Sequence, residues 1–488
     1  MPVENLKFGG GTEQTMLHPL VLIAMLLVIV LMFSLRRKYL IVPFLLIAFL
    51  VPLGQQLVVG GLHIFVLRIV VLAGLIRIFV SKRPSGASRI AGGFDNFDKL
   101  FVAWAVLHSI AFVLFYAQMG AVVNQFGYLW DTLGAFFLLR FLIRDDKDVE
   151  RAIRVFALIG VVVAAGMLTE HLRHVNVFVL LGGVRVEPEL KNGHVRAQGP
   201  FEHPLLAGTF GAILLPLFFW LWRSRRFRST AVAGMVLSTL IPLLTSTSTA
   251  LMAYAAAVGG TCMWALRKHM RVVRWSIAGA LISLHLVMKA PVWMIIGHID
   301  LTGGSSADHR AYLIDLFIRH IGDWWLLGTN ANLNWGWDMW DTANQYVEEG
   351  YGGGLAAFIC FLGLIAMAFS RLGRARKRAQ GDRRQEWYFW LLGAALFANV
   401  VAFFGISYHD QTQIAWFALL AMISAATISI RHPKLAQPAI TETVPCPIAG
   451  EDPNWALTAS ENSELGAPQE NVRPAQSVDG TVRSFHAY

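Results

Sequence analysis

Cysteine is nearly absent from this chain. The three present, Cys262, Cys360 and Cys446, fall at no disulfide or metal-ligand spacing, so neither a disulfide-stapled scaffold nor a cysteine metal centre is indicated. Charge is sparse too: only 15% of residues are Asp, Glu, Lys or Arg, and acids are the scarcer kind, 31 against 41 bases. The basic loops hold no acidic cluster, no phosphate-binding glycine loop and no metal-ligand set, which leaves no sequence case for an ATPase or a sugar-nucleotide enzyme there. No cofactor and no metal is called for. The bases flank apolar runs one by one rather than forming a domain, so the net charge of +10 is no argument for nucleic acid as a partner.

Apolar sequence is what the chain has in excess, 56% of residues with a mean hydropathy of +0.53. A helix needs ~20 mostly apolar residues to cross a bilayer. Thirteen runs approach that length: residues 16–35, 39–58, 62–80, 100–117, 125–143, 153–168, 206–222, 230–244, 250–266, 275–289, 354–370, 387–404 and 414–430. Lipid offers no partner to a bare backbone amide, so helices are expected. The fold class expected is all-α, a polytopic transmembrane bundle of about 12–13 helices with a large helical loop outside.

The first run is a poor signal peptide, because Arg36, Arg37 and Lys38 follow the apolar stretch instead of preceding it. That order points the N-terminus outward, and alternation from there puts most of the 41 bases on the cytoplasmic side. The expected organisation is an outward segment 1–15, a transmembrane domain 16–430 with outer loops 169–205 and 291–353, and a tail 431–488. The tail is rich in Pro, Glu, Ser and Ala without apolar periodicity, and is expected to be disordered and cytoplasmic.

Chemistry is therefore sought in the outer loops. Residues 305–320 have helical spacing, with Leu313, Ile314 and Phe317 on one stripe and Asp308, Tyr312, Asp315 and Arg319 on the other. Arg310 lies roughly 200° around the helix from Asp308 and so shares the apolar side. It is either an arginine snorkelling to the headgroups or a ligand for a lipid phosphate. Trp293, Trp324, Trp325, Trp335, Trp337 and Trp340 crowd the same loop, as at a membrane interface, with stacking on sugar rings as a second use. The other loop ends in Arg196-Ala-Gln-Gly-Pro-Phe-Glu-His-Pro, whose prolines force turns just before a helix. Arg196, Glu202 and His203 are thereby held at a helix N-terminus, an end that favours anions. Arg68 lies inside an apolar run. It either pairs with Asp131 to lock two helices or binds phosphate.

Three segments together resemble the O-antigen ligase and polymerase superfamily of bacterial surface-glycan proteins, over roughly residues 62–430. Arg196 to Pro204 is similar to its Arg-x-x-Gly-Pro-Phe turn. Asp308-His-Arg-Ala-Tyr-Leu, followed by Trp324-Trp-Leu-Leu-Gly-Thr329, is similar to its Arg-rich helix and Leu-x-Gly turn. Ala343-Asn-Gln-Tyr-Val347 is similar to its His-Asn-x-Tyr-Leu segment, and Thr245 to Ala250 falls where the family has a Ser/Thr-rich turn. Two departures tilt the reading toward a polymerase or exopolysaccharide-assembly protein: Ala343 where ligases carry histidine, and Ser248 where they often carry arginine.

The resemblance implies a metal-independent glycosyltransferase of the bacterial inner membrane, multi-pass, with its N-terminus periplasmic and C-terminus cytoplasmic. Its donor would be a polyprenyl-diphosphate-linked glycan and its acceptor a glycan or glycolipid, with a chain-length regulator as a further partner. Arginine suits a departing diphosphate because its fork matches phosphate oxygens and keeps its charge. Arg68, Arg196 and Arg310 are the expected diphosphate ligands. Glu202, His203, Asp308, His309 and Asp341 are the expected candidates for the group that takes the acceptor's proton. The alternatives are a transporter or flippase of the same lipid-linked glycan, or a non-catalytic membrane component of an export complex.

Overall fold

The computed structural model of the chain describes residues 8, 15–81, 88–299, 307–336, 339 and 341–428, apart from the side chains of Arg225, Asn332 and Leu333. Most of segment 1–15, Lys82, Arg83, Trp337, Trp340 and the tail 431–488 lie outside the described residues.

The chain is mostly helical, and every one of the thirteen apolar runs carries helix. In order these are α1 (Pro19–Ser34), α2 (Arg37–Leu50), α3 (Val66–Val80), α4 (Asn96–Tyr116), α5 (Met119–Leu129), α6 (Ala135–Leu142) and α7 (Asp146–Arg173). Then follow α8 (Pro204–Trp222), α9 (Arg228–Thr245), α10 (Ser248–Cys262), α11 (Met270–Val287), α12 (Ala307–Arg319), α13 (Ile321–Trp324), α14 (Gln345–Arg378), α15 (Arg383–Ala402) and α16 (Asp410–Ala426). Among the described residues, seven are long and apolar enough to cross a membrane: α4, α7, α8, α9, α10 with its 3-10 extension to Leu266, α11 and α14. The count falls below the expected 12–13 partly because two runs are not helical throughout and a third is interrupted. Residues 39–58 and 62–80 give up their adjoining ends to a hairpin, β1 (Gln56–Val59) against β2 (Leu62–Phe65), turned by Gly60-Gly61. Run 125–143 is broken by a π turn, Trp130–Gly134, between α5 and α6.

Burial sorts the helices. α8 is buried along most of its length, packed by α9, α10 and α15, and is the axis of the bundle. α11 has no buried residue, and beyond its own turns it packs on the 3-10 segment Val292–His298. One end of the bundle is basic and stapled by ion pairs. Arg140 meets Asp98 at 3.0 Å with both side chains fully buried, Arg371 meets Asp95 at 2.7 Å, and Arg37 meets Asp148 at 2.7 Å. Removing one partner of a buried pair strands the other charge, at a cost of about 3–5 kcal/mol. These staples fix the rigid end; the opposite end carries the long loops.

Two small structures organise the loop end. The first is a hairpin, β3 (Glu189–Lys191) against β4 (His194–Arg196), whose turn residues Asn192 and Gly193 both have positive φ. The second is a satellite core of Leu313, Phe317, Trp324, Met339, Val347 and Tyr351, through which α12 and α13 dock on the start of α14. Each such side chain contributes about 1.5–3 kcal/mol on burial, which is enough to seat the segment against the bundle. Trp324 therefore departs from the interfacial role expected of it. It is 2% exposed, stacks on Phe317 at 4.0 Å and donates to the Phe317 carbonyl at 2.8 Å.

The docking needs glycine at two places. Gly354 has φ 64°, which breaks the helical path of α14, and a Cβ there would stand 2.6 Å from the Leu326 carbonyl oxygen. Gly328 has φ 86°, and its Cβ would stand 2.0 Å from the Tyr351 carbonyl oxygen. The two strands of chain approach so closely that Thr329 N–H donates to the Tyr351 carbonyl and Leu355 N–H to that of Trp325, both at 2.9 Å.

Candidate functional site

The register of the β3–β4 hairpin sets Glu189 opposite Arg196. Arg196 donates through an Nη to Glu189 in a very short hydrogen bond, and is itself only 7% exposed. The chain after it is held from below. Glu170, near the end of α7, accepts from the N–H groups of Gln198 and Gly199, and Gln411 donates to the Pro200 carbonyl at 3.0 Å. The turn then delivers His203 as the N-cap of α8. His203 Nδ1 accepts from the Leu205 N–H at 3.1 Å, which leaves the proton on Nε2, 3.5 Å from Glu189. Removal from solvent pushes this imidazole down to about 4; Glu189 opposes that shift, while Arg196 reinforces it.

Arg310 comes from the other loop. The expected phasing holds: Arg310, Leu313 and Phe317 are all buried on one face of α12. Asp315, expected on the polar face, is also buried. It is covered by the 3-10 segment before α12, accepting from Trp293 at 3.1 Å and pairing with Arg319 at 2.7 Å. His309 Nε2 lies 3.0 Å from the Asp341 carbonyl oxygen, which ties α12 to the strand entering α14. Asp341 is the carboxylate acting on the Arg310 guanidinium, and Arg196 is close enough to repel it. Burial lowers the affinity of Arg310 for its proton, with Asp341 opposing the effect and Arg196 adding to it.

Arg310 makes no salt bridge among the described residues, and its buried Nε has no hydrogen-bond partner; the buried Nε of Arg196 has none either. An unpaired buried cation costs several kcal/mol, and arginine cannot relieve that by losing its proton. Arg196, by contrast, is paired with Glu189, and with Arg310 it offers two guanidinium groups from separate loops that a multidentate anion would complement.

The structure brings Arg196, His203, His309, Arg310 and Asp341 into this one neighbourhood. Glu202 lies at its edge. Its side chain is 59% exposed and 3.4 Å from His409, and its N–H donates to Asp410 at 3.2 Å. Asp308 is exposed and packs against Gly297 on the far side of α12. Arg68 has its partners elsewhere. It meets Asp131 through Nε at 3.0 Å and Nη at 2.7 Å, and the His63 carbonyl at 2.8 Å. Among the described residues, no group of three or more His, Cys, Asp or Glu is arranged to hold a metal ion.

Glu189, His409 and Asp410 belong to the neighbourhood but were not singled out from the sequence. Glu189 was within reach there, because Asn-Gly between short alternating stretches is the strongest local hairpin signal and sets its partner. His409 and Asp410 come from the α15–α16 connection, and no local pattern joins them to residue 202. The segment Ala343–Val347 also acquires a local account. Asn344 caps α14, accepting from the N–H groups of Tyr346 and Val347, while the Tyr346 hydroxyl donates to the Val400 carbonyl.

No protein-family model matches this chain, and no curated protein matches it in sequence.

Proposed function

We propose that the chain is a polytopic inner-membrane glycosyltransferase of the glycan polymerase or ligase type, with the loop end on the periplasmic face. The donor is a polyprenyl-diphosphate-linked glycan and the acceptor is a second glycan. The observation that carries this reading is that Arg196 lies close enough to Arg310 to act on its charge, both being 7% exposed with an unpartnered Nε. The seven helices able to cross a bilayer, and the basic end opposite the loops, support the orientation.

In the proposed reaction an acceptor hydroxyl oxygen attacks the anomeric carbon of the donor. The bond from that carbon to the diphosphate oxygen breaks, and the lipid diphosphate leaves with the electron pair. Arg196 and Arg310 hold the charge that gathers on it. The hydroxyl proton passes to Asp341, the carboxylate beside Arg310. His203 is less suited as the base, because Nδ1 is committed to the helix cap and Nε2 already carries a proton. Arg68, neutralised by Asp131, holds α3 to the helix that contains the π turn.

The test is made in cells. Arg310→Ala and Arg196→Ala each abolish long-chain glycan on a gel while the protein still accumulates in the membrane. A normal ladder from both variants would overturn the diphosphate assignment.

A further inference from the structure

Beside the arginine neighbourhood, and separate from it, a cleft opens between the C-terminal end of α4 and the start of α14. It has a cavity volume of about 230 Å³ and is lined by Phe112, Phe115, Tyr116, Tyr351, Thr329, Asn330, Thr342 and Glu348, with Leu327 and Gly352 completing the wall. That volume falls below the roughly 300–1,000 Å³ of clefts that hold drug-sized ligands, which limits the occupant to a small group such as a single ring.

Two observations say what kind of molecule fits. The aromatic side is half-exposed: Phe112 and Phe115 each contact Tyr116, with ring centroids 4.7 and 4.9 Å away. The opposite side is polar, with Glu348 accepting from the Thr342 hydroxyl, and Thr329 and Asn330 on the rim. Tyr351 also lines the cleft, while its ring packs in the satellite core, 5.9 Å from Phe317 and 5.3 Å from Trp335. Aromatic faces against a carboxylate, hydroxyls and an amide suit a pyranose ring, whose C–H face stacks and whose hydroxyls donate and accept. A diphosphate does not suit it, since Glu348 would repel one and, among the described residues, no arginine lines the cleft.

The neighbours of the cleft fix its shape. Glu349 turns away into the bundle, accepting from Trp104 at 2.7 Å and from Gln345 at 2.8 Å, and so leaves Glu348 as the carboxylate that faces the cleft. The rim residues are held to α14 by the Thr329–Tyr351 backbone hydrogen bond. Thr342 is the residue after Asp341, so the cleft and the arginine neighbourhood share one strand of chain.

We propose that this cleft is a saccharide-binding site in which one sugar ring lies against Tyr116 and Phe115 and hydrogen-bonds Glu348 and Asn330. That the bound sugar is the accepting end of the growing glycan rests on the function proposed above; the saccharide binding itself does not.

The experiment uses the full chain in nanodiscs and two probes: oligosaccharides released by mild acid from the source cells' own surface polysaccharide, and polyprenyl diphosphate without sugar. Glu348→Gln and Asn330→Ala each weaken oligosaccharide binding roughly tenfold or more and leave polyprenyl diphosphate binding unchanged, which also reports that the variants are folded. Arg310→Ala gives the reverse pattern. Wild-type protein that does not bind the oligosaccharides, or binding that Glu348→Gln and Asn330→Ala leave intact, overturns the saccharide site. Loss of the Arg310 arm alone overturns the diphosphate reading and leaves the cleft standing.

Discussion

The residue that decides most is Arg310. Its position two places from Asp308 is enough to put it on the apolar side of a helix, and burial among Leu313 and Phe317 follows from that phase. What the sequence could not supply is its company. Arg196 lies more than a hundred positions earlier, and only the fold brings the two together. Replacing Arg310 by alanine should lower turnover by about 10²–10³-fold, the usual effect of removing one donor to developing negative charge, while Arg310→Lys should retain part of it. The loss should appear in initial rates at saturating donor.

His203 gives a separable prediction. Its folded-state value of about 4 lies below the ordinary 6.5, so the unfolded chain takes up the proton first as pH falls. Stability from this group is therefore present above about 6.5 and is lost progressively between about 6.5 and 4. His203→Asn keeps a capping acceptor but removes the titration. Melting temperature in detergent should fall less steeply over that window in the variant than in the wild type.

At the scale of elements, helix existence was legible and helix ends were not. Thirteen runs carry helix because apolar length is a strong signal. The ends failed where β-structure intervened: Gln56–Val59 and Leu62–Phe65 are apolar enough to extend α2 and α3, yet Gly60-Gly61 turns them into a hairpin. The same kind of signal at Asn192-Gly193 fixes Glu189 against Arg196, so the site is partly built by a two-residue turn. Glu189→Ala should leave Arg196 charged but unheld, raising KM for donor more than it lowers kcat. A fall in kcat alone would contradict that positioning role.

The join between residues 325–329 and α14 is a second element that pattern could not reveal, because it depends on two segments approaching within a backbone hydrogen bond. Gly354→Ala would put a methyl 2.6 Å from the Leu326 carbonyl oxygen, at a φ that disfavours any side chain. The expected outcome is detachment of this segment, seen as faster proteolytic cleavage between Trp324 and Asn330 and loss of the saccharide cleft. Cleavage at the wild-type rate would show that the approach is not needed.

For the whole molecule, the separation of a stapled basic end from a loop-bearing end is the feature on which the proposed orientation rests. The expected orientation follows from charge alone. It is tested by single-cysteine labelling in a background lacking Cys262, Cys360 and Cys446. Asn192→Cys should react with an impermeant reagent added outside, and Gln380→Cys only after the membrane is opened. The sequence made the two ends visible. It did not show that α8 runs through the centre, or that α11 stands clear of the bundle with no buried residue, since both helices are apolar enough to cross a membrane.

The central claim is that Arg196 and Arg310 hold the diphosphate of a lipid-linked glycan while the sugar is transferred. The most direct measurement gives purified protein in detergent a polyprenyl-diphosphate oligosaccharide together with acceptor glycan, and separates the products by length. The account predicts longer products and free lipid diphosphate from the wild type, and neither from Arg310→Ala. No product from active-fold wild-type protein, or equal product from Arg310→Ala, would contradict it.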